Sequence, residues 1–383
     1  MTAGSNELLA HLIRAQSGDT PLPIDILHSI KRSPQSPTAL ADTCSVSRKT
    51  IYNSLSPLAD RYIVVREEDE YELTGYGAVL LRAFEAAQAA PSLNRSAVRF
   101  LASSDNRVVI LKKLREDPTK KASLANSEDA PSRTTIHRAI ETFIEKNWVR
   151  GDSDGRYELT TTGEHVLTTY TELTDAIRIA EAQSEFLYCC DETVANIPLD
   201  ALAGAELYVN TPEAPDTTRG VLRELVGPDL DRFKGFLSTV STASADVGDS
   251  IIRAGTQTEL IVPERVLYNL PTEGHYARHV KRGLEAQNFD LLVVSDIDCL
   301  PIGLAIFDDE TVFMGPADFQ QIPDGGNAGT IVSSNPALVA WANSLYRDYR
   351  DRAQTPARHV LRHLWEKVAD RTPLMNSRDS NEK

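Results

Sequence analysis

The sequence predicts an α+β fold: two tandem helical modules, each closed by a β-hairpin, followed by a mixed α/β domain. A pattern in the first half is written twice. Leu40-Ala41, Ser47-Arg48-Lys49-Thr50-Ile51-Tyr52-Asn53, Tyr71-Glu72-Leu73-Thr74 and Gly77 return as Leu124-Ala125, Ser132-Arg133-Thr134-Thr135-Ile136-His137-Arg138, Tyr157-Glu158-Leu159-Thr160 and Gly163, at an offset of 84 to 86 residues. A repeat that keeps helix, turn and strand in register is a duplicated domain. Each copy reads as helix, helix, turn, exposed helix and hairpin, which is the pattern of a winged helix. Beyond residue 190, short apolar runs alternate with helical patterns, as in a sheet covered by helices. The expected division is a winged helix over 1–90, a second over 91–165, a connecting helix over 166–190, an α/β ligand-sensing or regulatory domain over 191–353, and a C-terminal helix and disordered tail over 354–383.

In the first copy, Ile51, Leu55 and Leu58 pack inward from the third helix and leave Arg48, Lys49, Tyr52 and Asn53 exposed. Pro57 is expected to shorten or bend this helix, since proline removes a backbone donor and collides with the preceding turn. The hairpin Arg66-Glu67-Glu68-Asp69-Glu70 would push four carboxylates toward a DNA backbone. This copy is therefore expected to be the weaker DNA reader, or a structural or protein-binding module.

In the second copy, Asn106 to Arg115 reads as an amphipathic helix with Val109, Ile110 and Leu114 on one stripe, and Ser123 to Ser127 as a short second helix. Ser132 is a candidate N-cap for Arg133 to Lys146, whose Ile136, Ile140, Phe143 and Ile144 face inward. Ser132, Arg133, Thr134, His137 and Arg138 then lie near the end that a recognition helix presents to the major groove. Arg150 and Arg156 flank the turn Gly151-Asp152-Ser153-Asp154-Gly155 and would reach phosphates. Val166, Tyr170, Leu173, Ile177, Ala180, Ser184 and Leu187 follow a 4-3-4-3 spacing. That spacing suits either a dimer seam or packing within the chain.

In the last domain the expected strands are Ala205 to Asn210, Thr258 to Val262, Leu291 to Ser295, Gly303 to Phe307, Thr311 to Gly315 and Gly329 to Ser333. Helices are expected over Arg219 to Val226 and Tyr276 to Gln287. Asp308-Asp309 is a tight turn, and Ser334-Asn335-Pro336 opens a helix with Leu338, Trp341, Leu345 and Tyr349 on one face.

The succession Ser104-Asp105-Asn106-Arg107-Val108, Ser132-Arg133-Thr134-Thr135-Ile136, Tyr157-Glu158-Leu159-Thr160, Thr258-Glu259-Leu260-Ile261-Val262, Pro301-Ile302-Gly303-Leu304-Ala305-Ile306-Phe307-Asp308-Asp309 and Trp341-Ala342-Asn343-Ser344-Leu345-Tyr346 resembles archaeal, particularly haloarchaeal, winged-helix transcriptional regulators. Those carry a methanogenesis-regulator type middle domain. The resemblance spans roughly residues 95–353 and implies a cytoplasmic regulator whose last domain senses a ligand or mediates assembly. This chain departs from it by a whole additional winged helix in front.

The net charge of −15 is unevenly spread. Residues 1–177 hold 21 Lys and Arg against 24 Asp and Glu, while 178–383 hold 19 against 31, so the acidity sits mainly outside the repeats. Such a surface suits a high-salt cytoplasm. No apolar run approaches the roughly 18 residues that cross a bilayer. The four cysteines, Cys44, Cys189, Cys190 and Cys299, form no C-x-x-C pair and read as reduced thiols.

His279-Val280-Lys281 opens like the H-x-K-x4-D phosphodiesterase signature, but position 286 is Ala286 and no second copy exists. Asp296-Ile297-Asp298 reads as a solvated turn, and the pairs His275/His279 and His359/His363 lack a third zinc ligand. Gly325-Gly326-Asn327-Ala328-Gly329 is a flexible loop and not a phosphate cradle. The expectation is a regulator, not an enzyme, with no cofactor or metal. Its partners would be double-stranded DNA, a second copy in a homodimer, and a small-molecule effector, with no membrane. The alternative is a winged-helix protein-interaction module.

Overall fold

The structure is a computed structural model and describes residues 3–13, 23–125, 131–240, 242–269, 275–317, 322, 326–357 and 362. Ser127, His359, His363, most of the expected C-terminal segment and the side chain of His275 lie outside the described residues. The chain forms two compact units, Met1–Ala182 and Gln183–Lys383.

The first unit opens with α1 (Ala3–Leu12), then α2 (Pro23–Ile30), α3 (Pro37–Cys44), α4 (Arg48–Ala59), β1 (Val64–Glu67), β2 (Glu70–Leu73), α5 (Gly75–Ala89) and α6 (Arg95–Ala102). The order then returns as α7 (Asp105–Glu116), β3 (Thr119–Lys120), α8 (Lys121–Leu124), α9 (Arg133–Glu145), β4 (Val149–Gly151), β5 (Arg156–Leu159) and α10 (Thr161–Ala182). Ser47 and Ser132 start α4 and α9 in the same way. Each hydroxyl accepts a hydrogen bond from the backbone three residues on, at 3.1 Å from Thr50 and 3.2 Å from Thr135. Such a cap is worth about 0.5–2 kcal/mol.

The repeated tetrapeptide and glycine have a structural reason. Thr74 caps α5 by accepting from Gly77 N at 3.2 Å and donates to the Tyr62 carbonyl at 2.7 Å. Thr160 accepts from Gly163 N at 3.1 Å and donates to the Asn147 carbonyl at 2.6 Å. Both carbonyls belong to left-handed residues, Tyr62 at φ 55° and Asn147 at φ 57°. A Cβ on Gly77 would stand 2.1 Å from the Ile63 oxygen, and one on Gly163 2.0 Å from the Trp148 oxygen. Only glycine lets the helix backbone approach the hairpin this closely. Even the lone bridge Gln35↔Tyr71 recurs, as the β3–β5 pair Thr119↔Tyr157.

Three local expectations are corrected. Val109 and Ile144 are exposed at 38% and 44%, and the buried stripes run through Ile110, Leu111 and Leu114 on α7 and Ile136, Ala139, Ile140 and Phe143 on α9. Pro57 does not cut α4 short, for the helix runs two residues past it to Ala59. The 4-3-4-3 seam does not present an open dimer face. Val166, Tyr170, Leu173, Ile177 and Ala180 on α10 are 0–2% exposed within this single chain, and α10 packs on α5, α1 and α7. The long helix stops at Ala182, so Ser184 and Leu187 sit on a separate element of the second unit.

The second unit begins with α11 (Ser184–Leu187), a 3-10 turn over Glu192–Asn196, and α12 (Leu199–Leu202). It continues with β6 (Glu206–Asn210), α13 (Thr217–Leu225), β7 (Arg232–Phe236), α14 (Thr242–Ala254), β8 (Gln257–Pro263), α15 (Glu264–Asn269), α16 (His275–Glu285) and β9 (Phe289–Val294). It closes with β10 (Gly303–Phe307), β11 (Thr311–Gly315), β12 (Ala328–Ser333) and α17 (Pro336–Arg352). The seven strands form one mixed sheet in the order β6-β12-β11-β10-β7-β8-β9. β8 runs parallel to both β7 and β9, and the remaining pairs are antiparallel.

Strand β7 and helix α14 were not legible as such in the sequence. The Asp308-Asp309 turn takes left-handed φ values of 51° and 60°, Glu310 N donates to the Phe307 carbonyl across it at 2.9 Å, and three residues separate the register partners Phe307 and Thr311. Asn335 caps α17 by accepting from Ala337 N at 2.9 Å. The buried face of α17 is Leu338, Val339, Ala342 and Tyr346, with Trp341, Leu345 and Tyr349 only half-buried beside it, a rotation from the expected stripe. Side chains alternate across β8. Glu259 meets Tyr346 of α17 on one face, at 2.5 Å, while Leu260 and Val262 face the other, toward α14 and α16.

Two substitutions test this packing. Gly163→Ala drives a methyl group into a backbone carbonyl and should lower the stability of the first unit by at least about 1–3 kcal/mol, read from denaturant unfolding. Ile177→Asp buries a carboxylate in the α5–α10 core. It should unfold that unit by circular dichroism, at a cost of more than about 3 kcal/mol, without yielding a folded monomer from a dimer.

Candidate nucleic-acid interface

The exposed side of each repeat is set by the burial of the other side. On α9, Ile136, Ala139, Ile140 and Phe143 are sunk into the core, which turns Arg133, Thr134, His137 and Arg138 outward. The corner behind them is packed with aromatic rings. Phe143 stacks on Trp148 at 6.0 Å, Phe100 meets both rings edge-on at 6.1 and 5.9 Å, and the Arg107 guanidinium lies 3.9 Å over Phe100.

Arg133, Arg138 and Arg156 form no ion pair with any described residue. His137 is held differently, its Nδ1 lying 3.1 Å from Lys121 Nζ and 3.3 Å from Glu141. Arg150 is committed across the hairpin, donating from Nε to Glu158 at 2.6 Å, its register partner on β5. It is less available to a phosphate than the sequence suggests. Ser132 is exposed, but its oxygen serves the helix cap, so it positions α9.

The sequence reading missed Lys120 and Lys121. They sit on β3 and at the start of α8, and Lys121 lies 5.1 Å over the Tyr157 ring and beside His137. The Lys120-Lys121 pair was visible, but a two-residue strand gives no periodic signal that would tie it to the hairpin.

In the first repeat, Arg48, Lys49, Tyr52 and Asn53 are likewise exposed on α4, over buried Ile51, Leu55 and Leu58. The positions matching Lys120 and Lys121 are Ser36 and Pro37, and the one matching Arg156 is Glu70. Glu67 stands opposite Glu70 across β1 and β2, and Arg66 pairs with Asp69 at 2.9 Å. Partial burial, then the Glu67 and Glu70 charges, push the Glu72 carboxyl above its ordinary range. The first hairpin is thus acidic by clustering and the second is not.

The constellations of the second unit are engaged otherwise. His279 lies on α16 with Nε2 3.2 Å from Asp246 and Nδ1 3.1 Å from Asp249, and Lys281 faces Glu285 at 4.0 Å. Asp296 is held by Arg352 at 2.7 Å, and that hydrogen bond lowers its carboxyl below the usual range. Among the described residues, no group of three or more His, Cys, Asp or Glu is placed to hold a metal ion. Cys189 and Cys190 are buried free thiols, and burial pushes Cys189 up to about 12. No described helix is long and apolar enough to cross a membrane.

Two family models match. The model described as the HVO_A0261 N-terminal domain matches residues 19–92 and 95–182, the two copies of the repeat. That described as the middle domain of the methanogenesis regulatory protein FilR1 matches residues 215–352, within the second unit. The second match is thus to a domain of a regulatory protein.

Comparison with curated proteins gives no match. Among solved structures, TrmBL2, described as an archaeal chromatin protein, is 15% identical over 72% of this chain and 99% of that one, with a TM-score of 0.30. Nuc, a phospholipase D family member from Salmonella typhimurium, is 14% identical over 40% of this chain and 98% of that one, with a TM-score of 0.30. NucT from Helicobacter pylori is 13% identical over 40% and 98%, with a TM-score of 0.32. Likeness at this level fixes neither architecture nor activity.

The acidic hairpin supplies its own check. Replacing Glu67 and Glu70 together by Gln removes two of the charges that raise Glu72. Its carboxyl, followed by NMR titration, should then titrate lower than in the parent chain while staying raised by burial.

Proposed function

We propose that this chain is a DNA-binding transcriptional regulator. In this reading each repeat is a winged helix, and the second unit receives a small-molecule effector or mediates assembly. The observation that carries it is the outward row on α9, where Arg133 and Arg138, without an ion pair among the described residues, stand beside His137 and Lys121 over a buried apolar face. A cationic row on a rigid helix is what major-groove reading needs, because guanidinium groups bond guanine in pairs of hydrogen bonds.

Arg133, Thr134, His137 and Arg138 would face bases. Arg156, Lys120 and, after release from Glu158, Arg150 would face phosphates. Arg48, Lys49, Tyr52 and Asn53 would form a secondary contact weakened by the acidic hairpin. The match to a domain of a regulatory protein supports this assignment. The setting proposed is the cytoplasm of a salt-adapted archaeon, in keeping with the net charge of −15. A homodimer is part of the proposal, and its interface must lie outside the α10 seam, which the chain covers itself. One observation favours a second reading for the first repeat alone: its clustered carboxylates suit a basic protein partner better than a phosphate backbone.

The test is DNA selection with the full chain, followed by affinity measurement on the selected site. Arg133→Ala or Arg138→Ala should weaken binding by about 1–3 kcal/mol and relax preference at one base pair. Arg156→Ala should weaken all sequences alike and reduce the slope of log K against log salt by about one. Unchanged affinity and preference in both α9 variants would exclude α9 as the reading element.

A further inference from the structure

The second unit contains a cavity of about 140 Å³ between α14, α16 and the strands β8 and β9. Its wall is made by Leu260, Val262, Val266, Leu284, Phe289 and Leu291, together with further apolar groups from α14 and the chain after β7. The polar side chains that reach it are Asp249 and His279. An engineered cavity of about 150 Å³ with a Leu, Ile and Phe lining stays dry and takes benzene, so both size and lining suit a small apolar guest.

The charges at its edge are already balanced. Asp249, only 6% exposed, is met by Arg282 at 2.5 Å, Arg253 at 2.7 Å and His279 at 3.1 Å, and His279 also faces Asp246 at 3.2 Å. Two carboxylates thus stand with two guanidiniums and one imidazole. Among the described residues that line the cavity, no carboxylate or guanidinium is left over to recognise an ion.

The second observation concerns two glycines. Gly248 lies inside α14 and Gly283 inside α16, and both line the cavity. Neither has a positive φ, so neither is required by backbone conformation. A Cβ on Gly248 would meet no atom within 4 Å, and one on Gly283 would make only ordinary contacts, at 3.5 Å to Phe289 and 3.8 Å to Ile252. Glycine inside a helix is disfavoured relative to alanine. Both helices therefore keep their least favourable non-proline residue at a wall where a larger one fits, and the result is open space.

From these observations we infer that the cavity is a binding site for a small, uncharged, predominantly apolar molecule, of about the bulk of a single aromatic ring or a short acyl chain. The inference deepens the effector reading of this unit and does not depend on whether the first unit binds DNA.

The experiment is thermal unfolding of the full chain with toluene as the probe and benzoate as its charged counterpart. Toluene should raise the unfolding temperature saturably, as a ligand of the native state does. Benzoate should not. Gly248→Leu, which fills the space, should unfold at a higher temperature without any probe and lose the toluene response.

A flat response up to saturating toluene would overturn the site. An equal response to benzoate would overturn the uncharged class, and an unaltered toluene response in a folded Gly248→Leu variant would place the probe elsewhere. Should that variant not fold, methyl NMR of the unaltered chain decides. Toluene should shift Leu260, Val262, Leu284 and Leu291 methyl signals, and shifts confined to other methyl groups would refute the assignment. Because these readouts contain no DNA, they separate failure of this inference from failure of the DNA-binding reading.

Discussion

The contact on which the first unit depends is the one between a helix backbone and a carbonyl oxygen, made through Gly77 in one repeat and Gly163 in the other. It sets the angle at which each hairpin meets its following helix. The preceding threonine locks it by capping the helix and bonding back to a left-handed residue before the hairpin. With that corner fixed, the helix before the hairpin has one face to bury and one to expose. The outward row of α9 follows from the burial of Ile136, Ala139, Ile140 and Phe143 on the helix's other face, beside this corner.

The two repeats share this frame and differ in charge. Lys120, Lys121 and Arg156 gather around α9, whereas Ser36, Pro37 and Glu70 occupy the matching places around α4. Lys120, Arg156 and Glu70 are exposed, so folding leaves their charge free to vary, whereas Pro37 is buried and Ser36 caps α3. The copies thus share a frame and differ in local charge, and the net charge of −15 is no argument about the second repeat alone.

Much of the fold could be read from the sequence where periodicity or capping chemistry was local. Ser132, Asn335, the Asp308-Asp309 turn and the strands Gly303–Phe307 and Thr311–Gly315 belong to this class. What could not be read depended on distant partners. The heptad spacing of α10 is the same whether it meets a second chain or α5. Strand β7, Arg232–Phe236, breaks the alternation with Lys234 and Gly235. Val109 and Ile144 are apolar residues that remain 38% and 44% exposed after folding. At the candidate site, the exposed α9 row followed from helix geometry. The pairing of Arg150 with Glu158 needed the strand register, and the grouping of Lys121 with His137 needed a two-residue strand. In the second unit, Gly248 and Gly283 carry no signal in the sequence, since their meaning comes from helices that face each other only after folding.

The packing of α5 on α10 has a consequence for how the chain has been able to change. These are the corresponding helices of the two copies, and each completes the other's core. Once the duplicated halves leaned on one another in this way, neither could be shed. The acidic hairpin of the first copy is free to drift because its tip, residues 66–70, is exposed among the described residues. The helix behind it is held in place by its twin, so the surface of one copy can change while its packing is kept.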